Sequence, residues 1–320
     1  MKVSVIIPTY NRAYIIRDAL ESALAQTYDN FEIVVVDDGS VDNTRETIQS
    51  YSSNKIRYVR HEHNRGCSAA CNTGIAAATG DLVGFLDSDD CWKPDYLERQ
   101  VGFFSRHPEV SAVFSDVQIV GDRETIPSLI ALMKRFPKVL ERSAKAEEYV
   151  LDGRDIYVCL LEEVPIKPTA LVTRREVYEK AGTFDESWPS GTDWALFLRL
   201  FRSGSFGYIN RPLAIQRRTA DATHMIFREK DKLYLLGVFL KERETLKNDS
   251  EALAAVNRGI LGHCNDLGWD YLHAGQRKKS VAAYLRGYKE TGKSVMLLRA
   301  ASVFMPLGVR EFVGTSLKKG

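Results

Sequence analysis

FEIVVVDDGS, residues 31–40, decides the reading of the fold. An almost unbroken apolar run from Phe31 to Val36 stops at two aspartates and a glycine. A strand with one wet face alternates apolar and polar residues, so a continuous run means that both faces are buried. Working outward, the pattern recurs. Val3–Ile7 is a β-branched run stopped by Pro8, Ile56–Val59 a third, Leu82–Leu86 a fourth ending at Asp87, and Ala112–Phe114 part of a fifth. Helical patterns separate them: Tyr14, Ile15, Ala19, Leu20, Ala23 and Leu24 recur at helical spacing, Asn43–Tyr51 is a polar helix, Ser68–Ala78 is Ala-rich, and Pro94 starts another. Buried strands alternating with helices predict an α/β fold around a parallel sheet.

Residues 121–165 are less regular, with helix-like pieces and no clear strand alternation. Thr169–Val172 reads as a further strand, Arg174–Lys180 as a short helix stopped by Gly182, and Asp193–Phe201 as another helix. From about Thr223 the pattern is helical. Within it, His263–Gly287 reads as helix, tight turn, helix; one such hairpin is an appendage, not a repeat array. With 320 residues, 44% hydrophobic and 27% charged, the chain has the composition of an ordinary folded protein of about two domains. Its net charge of +2 gives no argument for nucleic acid.

The charge is unevenly spread. Residues 276–320 carry ten Lys/Arg against two Glu, a net +8, which leaves −6 for the rest. Interleaved with Leu297, Leu298, Val303 and Phe304, these cations suit an amphipathic surface on anionic lipid and, equally, a packed helical appendage with solvated lysines. No run of about 18 apolar residues occurs, and Met1-Lys2 leads directly into the first strand without a leader. Five cysteines (67, 71, 91, 159, 264), without metal or disulfide spacing, read as reduced thiols. The expected location is cytoplasmic, with peripheral contact at the inner face of the cell membrane through residues 276–320.

Open parallel sheets bind ligands beyond the carboxyl ends of their strands. Those ends read Pro8-Thr9-Tyr10-Asn11-Arg12, Asp37-Asp38-Gly39-Ser40 and Asp87-Ser88-Asp89-Asp90. The first lacks the glycine pattern of dinucleotide-binding or P-loop proteins, and neither pattern occurs elsewhere. Asp87 and Asp89, two apart, can leave on the same side. Clustered carboxylates repel, and are tolerated where a divalent cation bridges them to a diphosphate; a solvated acidic turn with Asp as helix N-cap is the alternative. Asp37-Asp38 reads as a plain turn or as an acceptor for a base or ribose. His61 and His63, beyond the third strand, read as exposed loop residues.

VSVIIPTYNR, FEIVVVDDGSVDNT, NRGCSAACNTGIAAATGDLVGFLDSDD and WKPDYL follow one another in this order. Together they resemble family 2 glycosyltransferases of the GT-A fold, almost without gaps over residues 1–110 and more loosely to about 218. The resemblance implies a mostly parallel central sheet flanked by helices with a C-terminal helical appendage. It divides the chain into a donor-binding half (1–110), an acceptor-binding half with the catalytic base (111–225) and a basic helical region (226–320). It also implies that Pro8, Thr9 and Tyr10 line the nucleotide pocket and that Asp38 accepts from the base. Asp87 then sits against the ribose and the metal's water shell, with Ser88 among the donor contacts. Asp89 coordinates Mg2+ or Mn2+, which bridges to the donor diphosphate.

FDESWPSGTDWALFLRL, residues 184–200, resembles the family's acceptor-side motif, in which Asp193, before Trp194, is the catalytic base. Thr192 stands where the family has Glu, and a helix cap is the other reading of this pair. Trp188 and Trp194 are acceptor candidates; Tyr208 suits stacking or core. Arg217 is carried over as a diphosphate contact. Cys71 stands where members often have Arg, and Thr219 where a His often follows Arg. Gln216-Arg217-Arg218-Thr219 does not fit the QxxRW signature of processive synthases, which favours single addition.

The expected activity is inverting, metal-assisted transfer of one sugar from a nucleotide-sugar, UDP-linked by expectation, to a hydroxyl of a glycan or lipid-linked glycan in surface polysaccharide assembly. Two other readings stand beside it: a sugar nucleotidyltransferase, which usually shows a Gly-rich basic loop that PTYNR is not, and a non-catalytic nucleotide-sugar-binding assembly partner.

Overall fold

The computed structural model describes residues 1–122, 124–188, 192–218 and 229–305. Strands β1 (Val3–Thr9), β2 (Phe31–Asp37), β3 (Ile56–Arg60) and β4 (Leu82–Phe85) lie parallel in the order β3-β2-β1-β4. Helices α1 (Ile16–Leu24), α2 (Thr44–Gln49) and α3 (Cys67–Ala77) fill the connections. Every residue of β1 is buried, as its continuous apolar run requires. The register Thr9↔Asp37 brings the ends of β1 and β2 level, so the loops after them emerge side by side.

The chain continues through β5 (Cys91–Trp92), α4 (Tyr96–Arg106), β6 (Val110–Gly121), β7 (Thr125–Ile126), α5 (Phe136–Leu140), β8 (Glu148–Asp152), α6 (Gly153–Leu160), β9 (Leu171–Arg174), α7 (Val177–Ala181), α8 (Asp193–Leu200) and β10 (Ser205–Arg218). The sheet extends as β4-β9-β6-β10-β5. β9 runs antiparallel to both neighbours, while β6 and β10 pair in parallel over most of their length. The mostly parallel α/β sheet expected from the sequence is borne out. The stretch expected to lack strands, 121–165, contains β8, antiparallel to β10. β8 does alternate, with Tyr149 and Leu151 buried and Val150 and Asp152 exposed. Five residues inside a charged segment are too few for that period to stand out.

One core binds α1 and α4 to the sheet, including Ile16, Leu20, Ile7, Val35, Leu86 and Phe103. Trp92 anchors the chain just beyond the acidic turn at 87–90. Its ring stacks on Tyr96 at 4.2 Å and its Nε1 donates to Thr169 O at 2.7 Å. β5 also pairs with β10 through Trp92↔Ala214 and Cys91↔Ile215. Tyr208 is fully buried among Phe114, Phe136 and Tyr149, which makes it core.

The chain divides into two compact units: Met1–Leu160 with Val164–Thr223, and Leu161–Glu163 with His224–Gly320. The second is helical: α9 (Glu229–Thr245), α10 (Ser250–His273), α11 (Arg277–Thr291) and α12 (Val295–Ser302). Asp249 caps α10 by accepting from Ala252 N. α10 and α11 approach closely because Gly268 has no side chain; a Cβ there would lie 2.4 Å from the Tyr284 ring. Arg258 binds Glu162 through two nitrogens, at 2.8 and 2.9 Å, and Arg243 binds Glu290 at 2.7 Å. Burial, with the charge of Lys232, lowers His263 to about 4. No described helix is long and apolar enough to cross a membrane.

Candidate functional site

The ends of β1 and β2 are knitted together by side chains from the loops that follow. Asn11 is the one non-glycine residue with positive φ (52°) among the described residues. Its N–H donates to Ser40 Oγ at 2.9 Å, and its Oδ1 accepts from Val41 N at 2.9 Å. Gly39 has φ +77°, and a Cβ on it would lie 2.8 Å from the backbone of His63, so both conformation and space demand glycine. Asp37 is fully buried and accepts from Ser40 N at 2.8 Å and from the Tyr58 hydroxyl, with Arg60 Nε at 3.9 Å.

Asp38 is buried at the start of α3. Its Oδ1 accepts from Arg65 N at 2.9 Å and meets His61 Nδ1 at 2.7 Å; its Oδ2 accepts from Gly66 N at 2.8 Å. The other ring nitrogen of His61 reaches Thr73 Oγ1 on α3, at 2.9 Å. His61 is therefore buried, not the exposed loop residue its position suggested. The cause is a continuation of the β2–β3 pairing past the strand end, through His61 N to Asp37 O at 2.9 Å. Pro8 and Thr9 are buried, with Thr9 Oγ1 making no hydrogen bond, whereas Tyr10 is 42% exposed.

Beyond β4 the chain turns through Asp90 N to Asp87 O at 2.9 Å, placing three carboxylates within four residues. Ser88, Asp89 and Asp90 are buried and Asp87 partly so. Arg12 Nη2 lies 3.6 Å from Asp89 Oδ2. Asp90 Oδ1 accepts from Arg217 N at 3.0 Å, but its Oδ2 closes no hydrogen bond. Thr169 Oγ1, near enough to favour the charged form slightly, is likewise unbonded. Burial, and then the charges of Asp87 and Asp89, push the Asp90 carboxyl well above the usual range. Arg217 grips the same loop. Its Nε donates to Asp89 O at 2.7 Å and its Nη1 pairs with Asp18, while Nη2 is buried without a partner.

The segment before α8 is clamped to α3. Asn72 donates to Phe184 O at 2.9 Å and to Glu186 Oε1 at 2.9 Å, and accepts from Phe184 N at 2.9 Å. One turn earlier, Ser68 Oγ meets Thr192 Oγ1 at 2.8 Å and Trp188 O at 3.1 Å. Arg65 adds a pair to Glu186 at 3.0 Å. Asp193, partly buried, starts α8. Thr192 sits at the cap position but makes no side-chain cap bond, because its hydroxyl is spent on Ser68.

Cys71, on the same helix, is buried. Its thiol lies 4.0 Å from that of Cys67 and is pushed up by that contact and by burial, then by the charges of Asp87 and Asp193. Of the two tryptophans, Trp188 is partly buried, and Trp194 donates Nε1 to Leu160 O at 2.7 Å. The nearby Pro189 and the Thr219 departure lie outside the described residues.

The structure thus gathers Thr9, Asp38, Asp87, Ser88, Asp89 and Arg217 at the strand ends, and holds the segment before Asp193 to α3 through Ser68 and Thr192. Sequence reasoning missed Arg12, His61, Ser68 and Asn72. Ser68 and Asn72 had a signal: they are four apart, hence on one face of α3. His61 had none, since its burial depends on pairing beyond the strand.

The family model described as Glycosyl transferase family 2 matches residues 4–180. An uncharacterized glycosyltransferase from Nostoc sp. is 35% identical over 230 residues, covering 70% of this chain and 67% of the relative. UDP-Glc:alpha-D-GlcNAc-diphosphoundecaprenol beta-1,3-glucosyltransferase WfgD of Escherichia coli is 34% identical over 132 residues, covering 41% of this chain and 52% of WfgD. The crystal structure of S. aureus TarS 1–349 in complex with UDP-GlcNAc is similar with a TM-score of 0.71, covering 100% of this chain and 92% of that one. At 20% identity, that likeness speaks for the GT-A fold alone.

Proposed function

The chain belongs to glycosyl transferase family 2, and from that premise we propose that it transfers one sugar, with inversion, from a UDP-sugar to a hydroxyl of a lipid-linked glycan at the inner face of a membrane. It is a glycosyltransferase of the GT-A fold, related to enzymes of polysaccharide biosynthesis. The observation that carries the finer reading is how α3 is held, with Asp38 at its start and the Ser68–Thr192 contact at 2.8 Å fixing the segment that leads into Asp193. An acid from the β2 end, Asp38, and the start of α8 at Asp193 are thereby tied to one helix although they are far apart in sequence. A transfer needs that pairing, with a donor pocket on one side and a separate base for the acceptor on the other.

In this reading Pro8, Thr9 and Tyr10 line the base pocket. Asp38 keeps acceptor capacity on Oδ2, which takes one bond from Gly66 N, and would receive an N–H of the base there. Asp87 would hold the ribose, and the unpartnered Nη2 of Arg217 would serve the diphosphate. The all-oxygen set at 87–90, with one buried carboxylate oxygen unbonded, fits a hard divalent cation such as Mg2+ or Mn2+. Among the described residues no group of three His, Cys, Asp or Glu could hold an ion alone. Asp89 and Asp87 would therefore share it with substrate oxygens and water. Its chemistry there would be stabilisation of negative charge on the departing diphosphate.

Asp193 would take the proton of the acceptor hydroxyl as that oxygen bonds to C1 and the C1–O bond to the diphosphate breaks on the opposite face. Trp188 would pack on the acceptor. Trp194, whose Nε1 is committed to Leu160 O, would contribute its ring only.

The test is a thermal-shift screen of UDP, GDP, dTDP and CMP with Mn2+ or EDTA, on the wild type and on Asp89→Ala, followed by transfer assays on Asp193→Ala. Metal-dependent stabilisation by UDP, lost in Asp89→Ala, is expected, because a ligand selective for the native state raises its stability. Asp193→Ala should retain that stabilisation and lose about 10²–10⁴-fold in transfer rate. Absence of stabilisation by any nucleotide, or full transfer by Asp193→Ala, would overturn the reading.

A further inference from the structure

α12 presents an apolar face to solvent. Met296, Ala300 and Val303 point inward and are buried, whereas Leu297, Leu298, Phe304 and Met305 are exposed, Leu298 to 55% and Phe304 to 67%. On α12, helical spacing puts Leu297 and Ala301 on one side with Leu298 beside them, and the turn that follows adds the exposed Phe304 and Met305. A soluble helix normally carries charge on that side.

α11, which packs against α12 where Gly287 meets Met296, bears the opposite character. Lys278, Leu285 and Lys289 share its outer face, and Leu285 and Tyr288 are exposed. Arg277, Lys278, Arg286, Lys289 and Lys293 form no ion pair with a described residue. The one acid from Arg277 to Met305, Glu290, is already bound to Arg243.

We propose that α12 and the basic helix before it form a docking surface for a bilayer of anionic phospholipid. A bilayer supplies what this surface lacks on both counts: hydrocarbon for Leu297, Leu298 and Phe304, and negative headgroups for the unpaired cations. A second copy of the chain fits less well, since a two-fold contact would set the cations against themselves. An acidic protein would answer the charge but not the apolar stripe. Residues 306–320, outside the described residues, add Arg310, Lys318 and Lys319 against Glu311, a net charge of +2, so that segment does not offset the basic helix. The surface rests on the proposed lipid-linked acceptor only for its purpose. It would hold the enzyme where such an acceptor is presented.

The experiment is co-sedimentation of the full chain with phosphatidylcholine vesicles, alone or with roughly a third phosphatidylglycerol. Leu298→Glu with Phe304→Glu, and Lys278→Glu with Lys289→Glu, are compared with wild type. Wild type should bind the anionic vesicles at least about tenfold better than the neutral ones. It should release them near 0.5 M salt, where screening acts within about 4 Å. Both double variants should lose binding while keeping UDP-induced stabilisation, which shows that they fold.

Equal binding to both vesicles, no binding by wild type, or unchanged binding by the variants would overturn the proposal. So would loss of binding only when Arg310, Lys318 and Lys319 are neutralised. A concentration-dependent dimer abolished by the variants, without vesicle binding, would replace it with a second copy. Vesicle binding without any nucleotide stabilisation leaves the surface standing and removes the UDP-sugar reading; nucleotide stabilisation without vesicle binding does the reverse.

Discussion

Asp37-Asp38-Gly39-Ser40 and Asp87-Ser88-Asp89-Asp90 are near-twins in sequence, each closing a buried parallel strand with carboxylates beside a serine. The structure treats them in opposite ways. At the end of β2 every carboxylate oxygen meets a donor: Ser40 N and the Tyr58 hydroxyl at Asp37, and Arg65 N, Gly66 N and the His61 ring at Asp38. At the end of β4 three acids crowd together, one oxygen closes no bond, and burial, then the charges of Asp87 and Asp89, drive Asp90 toward its neutral form. Where every oxygen has its donor, as at Asp37, the acid holds the fold, and Asp38 does so while keeping acceptor capacity on Oδ2. Where acids face one another in a buried turn, perturbed carboxyls of this kind mark a candidate ligand site.

Three experiments break or sharpen this contrast. The largest effect is expected from Asp89→Asn, which should cut sugar transfer by at least about 10²–10³-fold. Its urea unfolding free energy should stay within about 0.5 kcal/mol of wild type. Asp37→Asn should show the inverse: a loss of about 2–3 kcal/mol in urea unfolding, from a buried charge-assisted set, with near-normal turnover below the new unfolding midpoint. If both variants lose activity and stability together, the contrast fails.

The smallest effect is in acid. Hydrogen bonds from Ser4, Thr79 and Lys2 hold Glu32, on β2, at about 2 despite the opposing pull of burial. Its contribution to stability is complete above 4.5 and is lost as pH falls toward 2. His263, buried neutral in the helical unit, has the opposite charge logic and an earlier window. Protonation favours the unfolded form, so its contribution is complete above 6.5 and is lost between 6.5 and about 4. Limited proteolysis at pH 5 should therefore cut first within residues 229–305, and at His263→Gln this early sensitivity should fade.

Most of the sheet was legible because burial on both faces leaves a continuous apolar run, and β1, β2 and β4 have one. β8 was not, since its alternation spans five residues between charges. Asp38, Asp87, Asp89 and Asp193 were singled out through motifs. The groups that orient them were not, because His61, Ser68 and Arg12 act through partners 23 to 124 residues away, and such contacts leave no local period. Arg217 was carried over as a diphosphate contact; two of its nitrogens hold Asp89 O and Asp18, which leaves Nη2 for that role.

α3 is fastened on two sides at once: Thr73 to the His61–Asp38 pair, and Ser68 and Asn72 to the segment leading into Asp193. Three side chains within two turns therefore couple the proposed donor pocket to the proposed base. In steady-state kinetics, a change such as Ser68→Ala should shift the Michaelis constants for donor and acceptor together, because the two substrates read the position of a single helix.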